Sequence, residues 1–144
     1  MLLDRTSLRA DSLRRLRAAL FFHQPMLHYL ASPYTHPDAA IMEHRRVAAC
    51  RKAAELIESG LAVLSPIAHN VALIREAGTP TGWDCWRSQD LAMLTACDKL
   101  LVLQLPSWQD SIGVRAEIAA AKQLGKPVEF LPWCMPPAPP RTDM

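Results

Sequence analysis

The chain of 144 residues contains no apolar run near the ~18 residues that a membrane-spanning helix needs. The stretch from Ala18 to His23 is far too short, so no membrane partner is expected. No charge of one sign dominates: a net charge of +2 gives no footing for a nucleic-acid polymer. Cys50, Cys85, Cys97 and Cys134 form no C-x-x-C pair, and the five histidines have neither zinc-finger nor H-E-x-x-H spacing. Nothing therefore signals a metal, and none is expected. Neither a Walker loop nor G-x-G-x-x-G is present, so no cofactor is expected either. Isolated cysteines read as reduced, partly buried thiols of a cytoplasmic protein.

What is present is ordinary globular composition, 50% apolar and 21% charged, on a chain long enough for one domain with one core. Residues 1–25 stand apart. They are Arg-rich, with Leu8, Leu13, Leu16 and Leu20 at helical spacing, and read as an appended basic helix or tail. A targeting peptide and an upstream start before Met26 are the other readings. From Met26 the pattern alternates. "MLHYLA" reads as a strand, 38–59 as a helix stopped by Gly60, and "LAVLSPI" as a second strand ended by Pro66. Residues 67–83 read as a polar loop holding at most a helical turn. Residues 84–98 read as a helix, "KLLVLQL" as a fully apolar third strand, 112–124 as a helix ending at Gly125, and "PVEFLP" as a fourth strand. A Pro-rich tail over 132–144 follows the domain of residues 26–131.

This order predicts an α/β fold: a three-layer, doubly wound parallel sheet of four to five strands, flavodoxin- or Rossmann-like. Ligands of such sheets bind beyond the carboxyl ends of the strands, where the strand order reverses. The site is therefore expected at the loops "SPYTHP", "SPIAHN" and "PSWQDSIG", which bring in Ser32, Tyr34, His36, His69 and Asp110.

"WQDSIG" runs into a helix N-terminus, where free N–H groups attract anions. Ser111 and Gly113 suit the close approach of a phosphate or carboxylate. They suit equally an N-cap and a tight turn. Glu117 is a carboxylate among small apolar neighbours, either a dipole-favoured helix acid worth ~0.3–1 kcal/mol or a reactive group. Asp90 falls early in its helix, near the same edge. Tyr34, Trp83, Trp86 and Trp108 offer faces that stack on a flat ring or plug a small core.

In order and spacing, "YLASPY", "QDLAMLTACDKLLVL" and "DSIGVRAEIAAAKQLGKPV" resemble the nucleoside 2-deoxyribosyltransferase superfamily over residues 28–130. They look closer still to its nucleoside 5′-monophosphate N-glycosidase branch, and to an uncharacterised bacterial family of that fold with "SPY-x-H" and "SPIAH" signatures. The resemblance implies Glu117 as the nucleophile that attacks C1′ of the sugar. It implies Asp90 near sugar and base, and Tyr29 as the residue that positions the glutamate. Ser111 stands where the monophosphate hydrolases have the serine that contacts the 5′-phosphate. The Gly- and Arg-rich phosphate loop of that branch is replaced by "SPYTHP", with Ser32, His36 and Arg45 as substitutes. The implied activity is hydrolysis of the base–sugar bond of a nucleoside 5′-monophosphate or related nucleotide. The alternatives are base exchange by a deoxyribosyltransferase and a catalytically silent nucleotide-binding module. The implied assembly is a homo-oligomer.

Overall fold

The computed structural model describes residues 10–16, 19 and 25–134. Four strands form one parallel sheet: β1 (Leu27–Ala31), β2 (Ala62–Leu64), β3 (Lys99–Gln104) and β4 (Val128–Pro132), in the order β2-β1-β3-β4. The helices are α1 (Ala39–Glu58), α2 (Pro66–Ala77), α3 (Trp83–Ala96) and α4 (Ile112–Gln123), with a 3₁₀ turn at Trp108–Asp110. The chain steps outward from β1 to β2, returns across β1 to β3, and steps outward again to β4. The reversal lies between β1 and β3, which pair from His28–Lys99 to Ala31–Val102. The expected doubly wound parallel sheet is this one, with four strands.

Strand periodicity of two divides the core between the two faces. Tyr29 and Ala31 of β1, with Leu100 and Val102 of β3, pack against Leu94 of α3 and Val114 and Ala121 of α4. Leu30, Leu101 and Leu103 face the other way, against Ala48 and Ala53 of α1. At the opposite edge of the site Asp98 closes a corner: its Oδ2 accepts from the Leu27 N–H at 2.7 Å and its N–H donates to the Leu27 carbonyl at 2.8 Å. Pro132 ends β4, an edge strand, where its missing N–H costs no ladder bond.

One expectation is overturned. Most of residues 67–83, read as a loop with at most a short helical turn, lies in a helix of three turns, Pro66–Ala77. Both ends carry its reasons. Ser65 Oγ accepts from the Ala68 N–H at 3.3 Å as N-cap, Pro66 occupies the first turn, and Gly78 takes φ 68° and returns its N–H to the Ile74 carbonyl. Ile67, Val71 and Ile74 form the apolar stripe. Pro66 does end the strand, as expected, and it also starts a helix. β2 is correspondingly shorter than expected.

Residues 10–16 are helical, with Leu13 and Leu16 exposed. Leu8 and Leu20, and the tail from 135 onward, lie outside the described residues. No helix among those described is long and apolar enough to cross a membrane.

Candidate active site

Two Ser–Pro dipeptides stand at the carboxyl ends of neighbouring strands, and they behave differently. Ser65 after β2 spends its hydroxyl on the cap of α2. Ser32 after β1 has no helix to cap: its Oγ is buried without a partner and the residue is 5% exposed. A buried hydroxyl left unpaired costs about 1–3 kcal/mol, which sets Ser32 apart from Ser65. Ser32 lines a cleft of about 330 Å³ at the β1/β3 reversal.

Four segments converge on that cleft, and α2 brings Ile67, Asn70, Val71 and Ile74 to it. From the loop after β1 come Ser32 and Tyr34. From α3 come Trp83, Trp86 and Asp90. From the 3₁₀ turn and the start of α4 come Asp110, Ser111, Gly113 and Glu117. Of the residues expected at the site, Tyr29, His36 and His69 do not line it. Tyr29 lies fully buried beneath Glu117. His36 turns inward on its own loop, where Nδ1 accepts from the Asp38 N–H at 2.9 Å. His69 is exposed on α2. Its neighbour Asn70 lines the cleft instead and is 3% exposed. On a helix, successive side chains diverge by ~100°, so reading this stretch as a loop selects the wrong member of the pair.

Glu117 is 5% exposed, in the second turn of α4. The Tyr29 hydroxyl donates to its Oε1 at 2.5 Å. Burial pushes the Glu117 carboxyl up to about 8, the Tyr29 hydrogen bond pulls it down, and the Asp90 charge adds to the rise. At neutral pH Glu117 therefore largely holds its proton. Burial and the Glu117 charge push the Tyr29 phenol well above its ordinary range, so it remains a donor. Asp90 is buried too, and burial raises its pKa against the opposing Asn70 hydrogen bond and the His69 charge. The Asn70 Nδ2 donates to Asp90 Oδ1 at 2.8 Å. Two buried carboxyls with raised pKa values thus share one cleft, where a solvated helix charge would show neither the burial nor the shift.

Ser111 is the N-cap of α4: its Oγ accepts from the Val114 N–H at 3.3 Å. Its hydroxyl proton remains free to donate, so the cap and a ligand contact are compatible. Gly113 has a different reason to be glycine from the anion approach expected of it. A Cβ there would stand 3.2 Å from Cε3 of Trp83, whose ring leans on the helix backbone. Trp86 is held by its Nε1–H, which donates to the Pro80 carbonyl at 2.8 Å. The Thr35 hydroxyl donates to the Thr81 carbonyl at 3.2 Å, tying the loop after β1 to the entry of α3. Arg45, a candidate phosphate ligand by sequence, is buried and donates to the Thr35 carbonyl at 3.0 Å. It braces the loop and does not line the cleft. No group of three His, Cys, Asp or Glu side chains placed to hold a metal occurs among the described residues.

Asn70 is the polar, buried cleft residue that sequence reasoning left out of the site, and Trp83, read there only as one of several possible stacking rings, lines it too. Asn70 stood inside the quoted "SPIAHN", and the signal that selects it is the helical stripe Ile67, Val71, Ile74 beside it.

No curated protein matches the chain. Among solved structures, the chain is similar to a 2-desoxiribosyltransferase from Leishmania mexicana, at 23% identity and a TM-score of 0.44. The match covers 75% of this chain and 65% of that one, so the chain spans about two thirds of that protein's length. The match that identifies the chain is to a family: over residues 26–132 it belongs to the family described as a domain of unknown function, DUF1937.

Proposed function

We propose that this chain breaks the N-glycosidic bond between a base and a sugar, with Glu117 as nucleophile. The observation that carries the reading is the buried Tyr29–Glu117 pair beside the cleft, with Asp90 sharing the same space. In the first step the ionised Glu117 carboxylate attacks C1′. The C1′–N bond breaks, its electron pair leaves with the base, and a proton from Asp90 neutralises the departing nitrogen. The transition state resembles an oxocarbenium ion, which a close carboxylate stabilises. In the second step water attacks C1′ of the glycosyl ester, loses a proton to Asp90 and regenerates Glu117. A second base in place of water gives base exchange. The aromatic walls Trp83 and Trp86 suit a flat base. The unpartnered Ser32 hydroxyl suits a ligand oxygen or nitrogen.

The charge of the cleft bears on the substrate. Asp90, Asp110 and Glu117 line it, and no Lys or Arg does so among the described residues. Two unit charges ~4 Å apart interact by about 1–4 kcal/mol at effective dielectrics of 80 to 20. A phosphate dianion placed here meets that repulsion from each of these carboxyls that is ionised, Glu117 being so in the form that reacts, and the α4 N-terminus returns only ~0.5 of a charge. The balance favours the unphosphorylated nucleoside over the 5′-monophosphate implied by the sequence resemblance. Purified protein offered each base in both forms is expected to release free base with the higher kcat/KM from the nucleoside. Preference for the monophosphate would reverse the substrate assignment. Saturable binding with no base released by either form would favour a silent nucleotide-binding module. A new nucleoside formed on adding a second base would make the protein a transferase. Like the expected homo-oligomer, these alternatives are separated by solution measurements, light scattering for the assembly.

Gly113→Ala tests the Trp83 wall. Alanine is the better helix former by ~0.5–1 kcal/mol, which offsets the crowding, so Tm is expected to change little. The ring must shift by a few tenths of an ångström, so KM is expected to rise several-fold with kcat little altered. Unchanged KM would remove Trp83 from the binding surface.

A further inference from the structure

Each of the two buried carboxyls has one neutral donor. For Glu117 it is Tyr29, and for Asp90 it is Asn70. The Asn70 amide is oriented from its far side as well, because the Gln89 Nε2 donates to Asn70 Oδ1 at 3.4 Å. Its nitrogen is thus committed to Asp90. An amide NH₂ only donates, and the carbonyl oxygen of a protonated carboxyl is a better acceptor than its hydroxyl, so the bond favours Asp90 Oδ1 as the unprotonated oxygen. A proton carried by Asp90 is then favoured on Oδ2, for which the described residues offer no partner and which belongs to a residue lining the cleft.

We propose that Asn70 is a positioning residue that favours Asp90 Oδ1 as an acceptor and leaves Oδ2 as its preferred proton-bearing oxygen, presented to the ligand. The catalytic consequence rests on the N-glycosidase reading: Oδ2 delivers its proton to the departing base, and Asn70 disfavours the unproductive placement on Oδ1. The ionisable groups that face Asp90 are Glu117 from α4, Tyr29 from β1 and His69 from α2. His69 is exposed, and the other two act through charge. The Asn70 bond is the contact by which the protein grips the carboxyl.

The test uses the full chain labelled with ¹³C at the aspartate carboxyls, and follows the Asp90 resonance through a pH titration. Asn70→Leu removes the donor and leaves Asp90 buried without a partner, which can cost stability. Asn70→Asp keeps the shape and the acceptor for Gln89, removes the donor and adds a like charge. The Asp90 midpoint is expected to rise in both variants, further in Asn70→Asp. With a nucleoside substrate, kcat is expected to fall about tenfold or more, a part of the ~10²–10⁴-fold typical of acid–base catalysis, with KM changed less. The kcat–pH profile is expected to move with the NMR midpoint. A folded variant whose Asp90 midpoint stays where it was overturns the proposal. So does a fall in kcat with an unmoved pH profile, which a packing role would produce. Wild-type protein that releases no base overturns the N-glycosidase reading instead, and the NMR midpoint then decides the role of Asn70 by itself.

Discussion

Glu117→Gln is expected to lower base release by about 10³-fold or more, because an amide can neither attack C1′ nor capture the developing charge. The same change is expected to stabilise the protein in alkaline solution. Glu117 binds its proton up to about pH 8 when folded and only to its ordinary 4.5 when unfolded. Between these values the folded state holds a proton that the unfolded state has lost, so stability falls as pH rises. The contribution is complete below 4.5 and gone above about 8. Glutamine is always neutral and still accepts from Tyr29. Variant and wild type should therefore unfold alike near pH 4.5 and separate progressively toward pH 9. One pKa unit is worth ~1.4 kcal/mol, so the difference at pH 9 is on the order of a few kcal/mol. At this chain length that is roughly a 10–15 °C gain in Tm. The measurement is thermal unfolding of both proteins at pH 5, 7 and 9, beside a base-release assay. Loss of activity with a pH-independent Tm difference would show a Glu117 carboxyl that is not desolvated. Full activity in the variant would end its assignment as nucleophile.

Tyr29→Phe is expected to move the acidic limb of kcat/KM to higher pH. The 2.5 Å bond from the Tyr29 hydroxyl favours the ionised Glu117, and the nucleophile must be ionised to react. A hydrogen bond to a charged group is worth about 1.5–3 kcal/mol, and at ~1.4 kcal/mol per decade its loss costs about 10- to 100-fold at pH 7. Part of that loss should return above the displaced limb, where Glu117 ionises without help. A pH–rate profile of the variant between 6 and 10 reads both features. An equal loss at every pH would assign Tyr29 to geometry alone. An unchanged profile would leave the pair without a part in the reaction. Phenylalanine fits the same buried space against Leu94 and Val102, so the fold is expected to survive the change.

The two effects depend on contacts of different legibility. That β1, β3 and β4 are strands, and that α1, α3 and α4 are helices, was readable because hydrophobic period and end signals are local. Asp38 as the N-cap of α1 and Ser111 as the N-cap of α4 are such signals. Pro66 was a local signal read in only one of its senses. As a strand ender it hid a helix start, and with it Asn70. That a cleft opens at the strand carboxyl ends also followed from the order of elements, since a parallel sheet needs crossovers and the reversal opens a crevice.

By itself, the sequence determined the alternation of strands and helices, the parallel sheet that alternation requires, and the end of the sheet at which loops gather. These depend on neighbours a few residues apart, whose sterics and polarity act along the chain. The tertiary structure alone decided which polar groups meet. Tyr29 and Glu117 are 88 residues apart, and Asn70 and Asp90 are 20 apart, across separate elements. It also decided that Arg45 braces a loop, that Ser65 caps a helix while Ser32 stays unpaired, and that Gly113 makes room for Trp83. Burial is a property of packed layers, and burial is what turns Glu117 from a helix charge into a carboxyl poised near pH 8.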